Sequence, residues 1–156
     1  MSPFPWRPSK FQRAAGALGI AILLGLALEL FPLEILPGSC FSLGMSMALA
    51  AGAQLGPLPG LLALLAIEAI PSIRIGAAYP YLAHGLELLA VCFMRRRRPN
   101  ASVLAIDSVF WPLLGLPLLG AAYRFGLGVS AETVAATLLG VWLAGLFNAF
   151  LAGLIA

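Results

Sequence analysis

The chain has 156 residues, 62% of apolar type and 10% charged, with nine Lys plus Arg against six Asp plus Glu. A soluble domain keeps roughly a quarter of its residues charged to hold a wetted surface, so this composition, with a mean hydropathy of +1.01, excludes a water-solvated globule. It predicts an all-α integral membrane bundle, one domain over residues 14–156 behind a basic N-terminus, 1–13.

Arg7, Lys10 and Arg13 precede the first apolar run. That run outlasts a signal-peptide core, and Leu30-Phe31-Pro32-Leu33-Glu34 offers no small-residue cleavage site, so a retained first span is expected from about Ala14 to Phe31. Ala17, Ala21 and Gly25 on it have small-xxx-small spacing, a weak signal in a chain with 17 glycines. Pro32 and Pro37-Gly38 break the helix into a short loop containing Glu34.

A second apolar segment, about Cys40 to Leu55, ends at the Gly56-Pro57-Leu58-Pro59-Gly60 turn. A third run, Leu61 to Ile70, stops at Pro71. It either continues through a Pro71 kink toward Tyr79 or pairs with the second segment as a re-entrant half. The fourth, about Ala77 to Met94, ends at Arg95-Arg96-Arg97-Arg98. The fifth covers Ala101 to about Tyr123, bent at Pro112 and Pro117. The sixth covers Ala131 to Ala156, with Ser130 as N-cap and Glu132 in its first turn.

This path puts Arg7, Lys10, Arg13 and the four clustered arginines on one face, against Arg74 and Arg124 on the other. The bias predicts about six segments, N-in and C-in, without strands, in a cell's inner (plasma) membrane. Basic residues beside apolar segments imply anionic lipid, not nucleic acid, as the partner. Cys40 and Cys92 fall at opposite faces in this topology and read as apolar fillers rather than a disulfide. The last span ends without a polar tail, the pattern expected of a module cut from a longer polypeptide.

Ionisable groups in apolar segments are costly unless paired, protonated or hydrated, so each is a candidate for function. Glu29 and Glu34 fall at the outer end of the first span, near water. Glu68 approaches the same face and Arg74 lies just beyond. His84 and Glu87 lie about 10 and 15 Å down the fourth span, one turn apart on one side. Tyr79 and Tyr81 mark its mouth. These residues frame an outward-facing polar cavity for a small polar or cationic ligand, or a proton-sensing site at His84. The alternative is structural: Glu68–Arg74 and His84–Glu87 pairs holding short helices together. Asp107 and Asn148 fall at a similar inner depth, where they could hydrogen-bond to each other as interhelical glue or transmit movement with Trp111. Catalytic motifs, cofactor fingerprints and metal-ligand spacings are absent from the sequence, so no enzymatic activity, cofactor or metal is expected.

Several phrases occur in order: Phe31-Pro32-Leu33-Glu34, Leu43-Gly44, Gly56-Pro57, Pro80-Tyr81 with Glu87, Asp107 with Phe110-Trp111, Gly115-Leu116-Pro117, and Gly145-Leu146-Phe147-Asn148-Ala149. Together they resemble the N-terminal multi-span membrane region of bacterial sensor histidine kinases and diguanylate cyclases. The resemblance implies a sensory input module, homodimeric, passing a signal to a cytoplasmic effector domain in cis or a partner subunit. The kinase and cyclase motifs are not within these residues. The chain is also similar to the substrate-binding membrane subunit of an energy-coupling-factor vitamin transporter, in its six spans, its size and the Pro-Gly loop after the first.

Overall fold

The computed structural model describes residues 9–31, 33–36, 39–75 and 79–156. Helix α1 (Lys10–Leu30) starts at Ser9. The Gln12 amide donates to the Ser9 hydroxyl at 3.2 Å and the Ser9 amide donates to the Gln12 side chain at 2.8 Å. This reciprocal capping box satisfies two otherwise orphaned donors and fixes the helix start. Strands β1 (Leu33–Leu36) and β2 (Ser39–Phe41) follow, antiparallel, with Glu34 opposite Cys40. The membrane segments are helical, as expected. The loop after the first is a small two-stranded ribbon, because Leu-Glu-Ile-Leu and Ser-Cys-Phe satisfy each other's backbone groups at the bundle end. Arg7, Pro32 and Pro37-Gly38 lie outside the described residues, as do the side chains of Glu34, Cys40 and Tyr79.

Helix α2 (Met45–Leu55) has only 11 residues, about 16 Å. Gly56 then turns the chain with φ +102°, a conformation that favours glycine, and its amide donates to the Gly52 carbonyl at 3.1 Å. Pro57 opens helix α3 (Pro57–Ile67) at a position where a missing amide costs nothing. After a break at Glu68, helix α4 (Ala69–Ile75) carries the chain on. The third segment is therefore not short. Pro71 falls in the first turn of α4, where its absent N–H leaves no bond unmade, and the Ser72 amide donates to the Glu68 carbonyl at 3.0 Å. Only the second segment is short.

Helix α5 (Tyr79–Arg97) ends in the arginine block. Helix α6 (Val103–Phe110), capped by Ser102, passes into a π-helical turn over Trp111–Gly115. Helix α7 (Leu116–Ala121) and a second π turn, Ala122–Gly126, complete this segment. Pro112 and Pro117 lack the amides that an α-helix would use at and just after Trp111–Gly115, and the wider turn there follows from that loss. Helix α8 (Ala131–Ile155) is capped by Ser130, which accepts from the Thr133 amide at 3.3 Å.

Among the described residues, four helical stretches are long and apolar enough to cross a membrane: Lys10–Leu30, Pro57–Arg74, Val103–Gly126 and Ala131–Ile155. Their burial pattern is inverted relative to a soluble protein. Ile20, Leu23, Leu62, Leu113, Leu139 and Leu143 point outward, while Glu29, Glu68, Glu87, Asp107 and Asn148 point inward. Such a surface suits lipid, and we read the chain as a membrane protein.

The bundle has two ends, one at the β1–β2 ribbon and one at the arginine block. α2 lies at its centre, packed on α1, α3, α5 and α8. At the α2–α3 crossing, a Cβ on Gly60 would come within 2.6 Å of the Gly52 Cα, so these backbones are in direct contact. The apolar core around Met45, Leu49, Leu64, Ile67, Leu88 and Val91 fills this region. A second cluster, Ala83, Phe110, Trp111 and Leu119, packs α5 against the Pro-bent segment. Cys92 is buried and free, its thiol donating to the Gly52 carbonyl at 3.4 Å.

Candidate functional site

His84 lies on α5 between two carboxyl groups. Its Nδ1 is 2.9 Å from Glu87 Oε2, a hydrogen bond across one helical turn, and its Nε2 is 3.8 Å from Glu68 Oε1. Glu68 stands at the break between α3 and α4, where its side chain can turn toward α5. The pairing of Glu68 with Arg74 expected from sequence is not formed. Instead, Arg74 donates through Nη1 to the Glu29 main-chain carbonyl at 3.1 Å, because α4 points its last turn toward the end of α1.

Glu29 corrects a second expectation. Placed one residue before the end of α1, it reads as a solvated group, yet it is 1% exposed. Residues 42–44 fold back across it. The Ser42 hydroxyl and the Gly44 amide both donate to Glu29 Oε1, the latter at 3.1 Å. A Cβ on Gly44 would lie 2.4 Å from the same oxygen and 2.7 Å from the Gly25 carbonyl, so this approach needs glycine. Glu29 is also an electrostatic neighbour of Glu68.

Asp107 provides a third correction. It does not bond to Asn148. It is fully buried on α6, where its carboxyl faces Glu87 and the Trp111 indole, without a well-formed hydrogen bond to either. Asn148 on α8 donates to the Ser42 carbonyl at 2.9 Å. The inner depth expected for Asp107 comes from counting along one helix, a count blind to how neighbouring helices are offset. Offset brings it level with Glu87.

The result is one cluster of polar groups, Asp107, Glu87, His84, Glu68, Glu29, Ser42 and Asn148, in contact at His84–Glu87, His84–Glu68, Ser42–Glu29 and Asn148–Ser42 and linked electrostatically at Glu68–Glu29 and Glu87–Asp107. It touches α6, α5, the α3–α4 break, α1 and α8. The four carboxyl residues are 2% exposed or less, while His84 keeps 20% of its surface open. The expected open cavity is therefore a closed, packed cluster at this point. Tyr81 belongs to its edge: its hydroxyl approaches the Leu65 carbonyl at 3.4 Å.

Trp111 connects the cluster to α8. Its ring is fully buried and meets His84 edge-on at 5.9 Å between centroids. Added Cβ atoms on Gly115 and Gly145 would lie 2.5 and 2.3 Å from this indole, so Trp111 is clamped between its own π turn and α8.

Glu29, Ser42 and Gly44 are the members that sequence reasoning missed. A signal for Glu29 exists. It lies four residues after Gly25, on the face of α1 that turns Leu18, Ala21 and Ile22 toward the core. Among the described residues no group of three or more His, Cys, Asp or Glu has a metal-holding arrangement.

No protein-family model, curated protein or solved structure matches this chain.

Proposed function

We propose that the chain is the membrane-embedded sensory input module of a bacterial signalling protein, and that its stimulus is a change in proton occupancy of the His84 cluster. The observation that carries this reading is the suspension of His84 between Glu68 and Glu87 inside an otherwise closed cluster. A group of four buried carboxyls, with one imidazole and with Arg74 only at its edge, is short of positive charge. In a low-dielectric interior such a group holds protons in place of counter-ions. A proton needs no cavity, which favours it over a larger solute in this packing.

The output route is α8. Trp111 against Gly145 and Asn148 on the Ser42 carbonyl are two contacts by which a rearranged cluster would shift that helix. A cytoplasmic effector, in cis or as a partner subunit, would read the shift as a change in helix position. Six segments with both termini inside, in the inner membrane, fit the gathering of Lys10, Arg13 and Arg95–Arg98 at one end. A homodimer is the assembly this reading implies.

The test is distance measurement by paired spin labels at Arg98 and Ile155, with the chain in proteoliposomes, between about pH 5 and pH 8. A pH-dependent distance in the parent and a fixed one in His84→Gln is the expected result. A distance that does not respond to pH in the parent, or that responds equally in His84→Gln, would overturn the reading.

A further inference from the structure

The arginine end holds a feature that the proton cluster does not use. Between the Gly56 turn and the end of α5 is a cavity of about 330 Å³, lined by Gly52, Gln54, Pro57, Cys92, Arg95 and Arg96 among others. None of Arg95, Arg96, Arg97 or Arg98 has a carboxylate within 4.0 Å among the described residues, since both ion pairs found there belong to His84. Arg97 is engaged otherwise, stacked 4.4 Å over the Phe93 ring. The first two arginines of the block thus line a recess to which the last two do not contribute.

The recess is built rather than incidental. Gly56 at φ +102° turns the backbone sharply below it. Gly52 and Gly60 bring α2 and α3 into contact with each other and with Leu88 of α5, which forms the floor above which the recess opens. Gln54 ties the rim to α8 by donating to the Ile155 carbonyl at 2.6 Å. Starting at this end, α3 exposes Leu58, Leu62 and Leu65, and α5 exposes Phe93 and Leu89. Each set is spaced by one helical turn and offers apolar surface to an acyl chain.

We propose that this recess binds the phosphate of an anionic phospholipid headgroup, with Arg95 and Arg96 as its ligands and the acyl chains lying along α3 and α5. Guanidinium groups take phosphate oxygens in bidentate fashion, and basic pockets between membrane helices favour anionic headgroups. The apolar stripes argue for a lipid as the phosphate's source rather than a free anion.

Native mass spectrometry of the full-length chain in nanodiscs of equal phosphatidylglycerol and phosphatidylcholine tests this. Wild type and R97Q/R98Q are expected to retain phosphatidylglycerol preferentially, and R95Q/R96Q to lose that preference about tenfold. Ala53 also lines the recess, so Ala53→Phe, which fills it and keeps every charge, is expected to lose the preference as well, and the outcome does not depend on the arginine variants folding. Equal loss in both arginine pairs would mean diffuse attraction, and retention in Ala53→Phe would place the lipid elsewhere. Displacement of the lipid by inorganic phosphate would make a soluble anion the ligand. Each of these three results overturns the proposal.

Discussion

Glu29 on α1 and Asn148 on α8 are joined through one residue between them: the Ser42 hydroxyl donates to Glu29 and the Ser42 carbonyl accepts from Asn148. The first and last helices are thereby tied through a three-residue segment ahead of α2. The same segment brings Gly44 onto Glu29, so the carboxyl, the loop and the last helix form one mechanical unit. That unit shares electrostatic contact with His84.

Gly44 should tolerate no side chain. In Gly44→Ala the new methyl would meet a carboxyl oxygen and a backbone carbonyl at once, and the expected loss is about 1–3 kcal/mol. Gly85 on α5 has nothing within 4 Å of an added Cβ, so Gly85→Ala should be neutral or stabilising by up to ~1 kcal/mol. Thermal unfolding of the two variants in one detergent checks the contrast.

Glu87→Gln should insert and fold, because the amide oxygen can still accept from His84, while the pH response is lost. Glu87→Ala leaves both a cavity and the His84 Nδ1 without its partner, and should cost about 2–5 kcal/mol. Comparing denaturation of the two variants with their pH-dependent label distances separates the structural role of this residue from its sensing role.

Trp111→Phe should uncouple the cluster from α8 with modest loss of stability, since a smaller ring remains between Gly115 and Gly145. Trp111→Ala should cost about 3–5 kcal/mol. The checks are unfolding free energy and the α8 label distance. Trp111→Phe should move the second far more than the first.

Asn148→Leu removes the bond to the Ser42 carbonyl and should cost about 0.6–2 kcal/mol, the range for interhelical hydrogen bonds in membranes. Ser42→Ala leaves that carbonyl in place but removes a donor from Glu29. Because both positions belong to one hydrogen-bonded unit, a double-mutant cycle between 42 and 148 should give a coupling energy of about 0.5–3 kcal/mol.

Much of the fold is legible in the sequence because membrane segments announce themselves by apolar length and by charge at their ends. The first, fourth, fifth and sixth segments fall within a few residues of α1, α5, the α6–α7 stretch and α8. Ser130 caps α8 as read. His84 and Glu87 are legible as a pair because one helical turn fixes their spacing regardless of the rest of the fold. Glu68 beside His84 is half legible, in depth but not in partner. Glu29 and Asp107 are misplaced by sequence for one reason. Depth counted along a single helix carries no information about a loop folding back over it or about the offset of its neighbours. The Trp111 clamp is hidden for the same reason, since it depends on Gly145, 34 residues away in sequence.

The central claim is that a proton enters or leaves the His84–carboxyl cluster inside the bundle. Infrared difference spectroscopy of the reconstituted chain across a pH step tests it directly, through the carbonyl stretch of protonated carboxyl groups. The expected result is a pH-dependent carboxyl band that is altered or lost in Glu87→Gln and Asp107→Asn. A spectrum with no such band, or with one unchanged in both variants, would contradict the account.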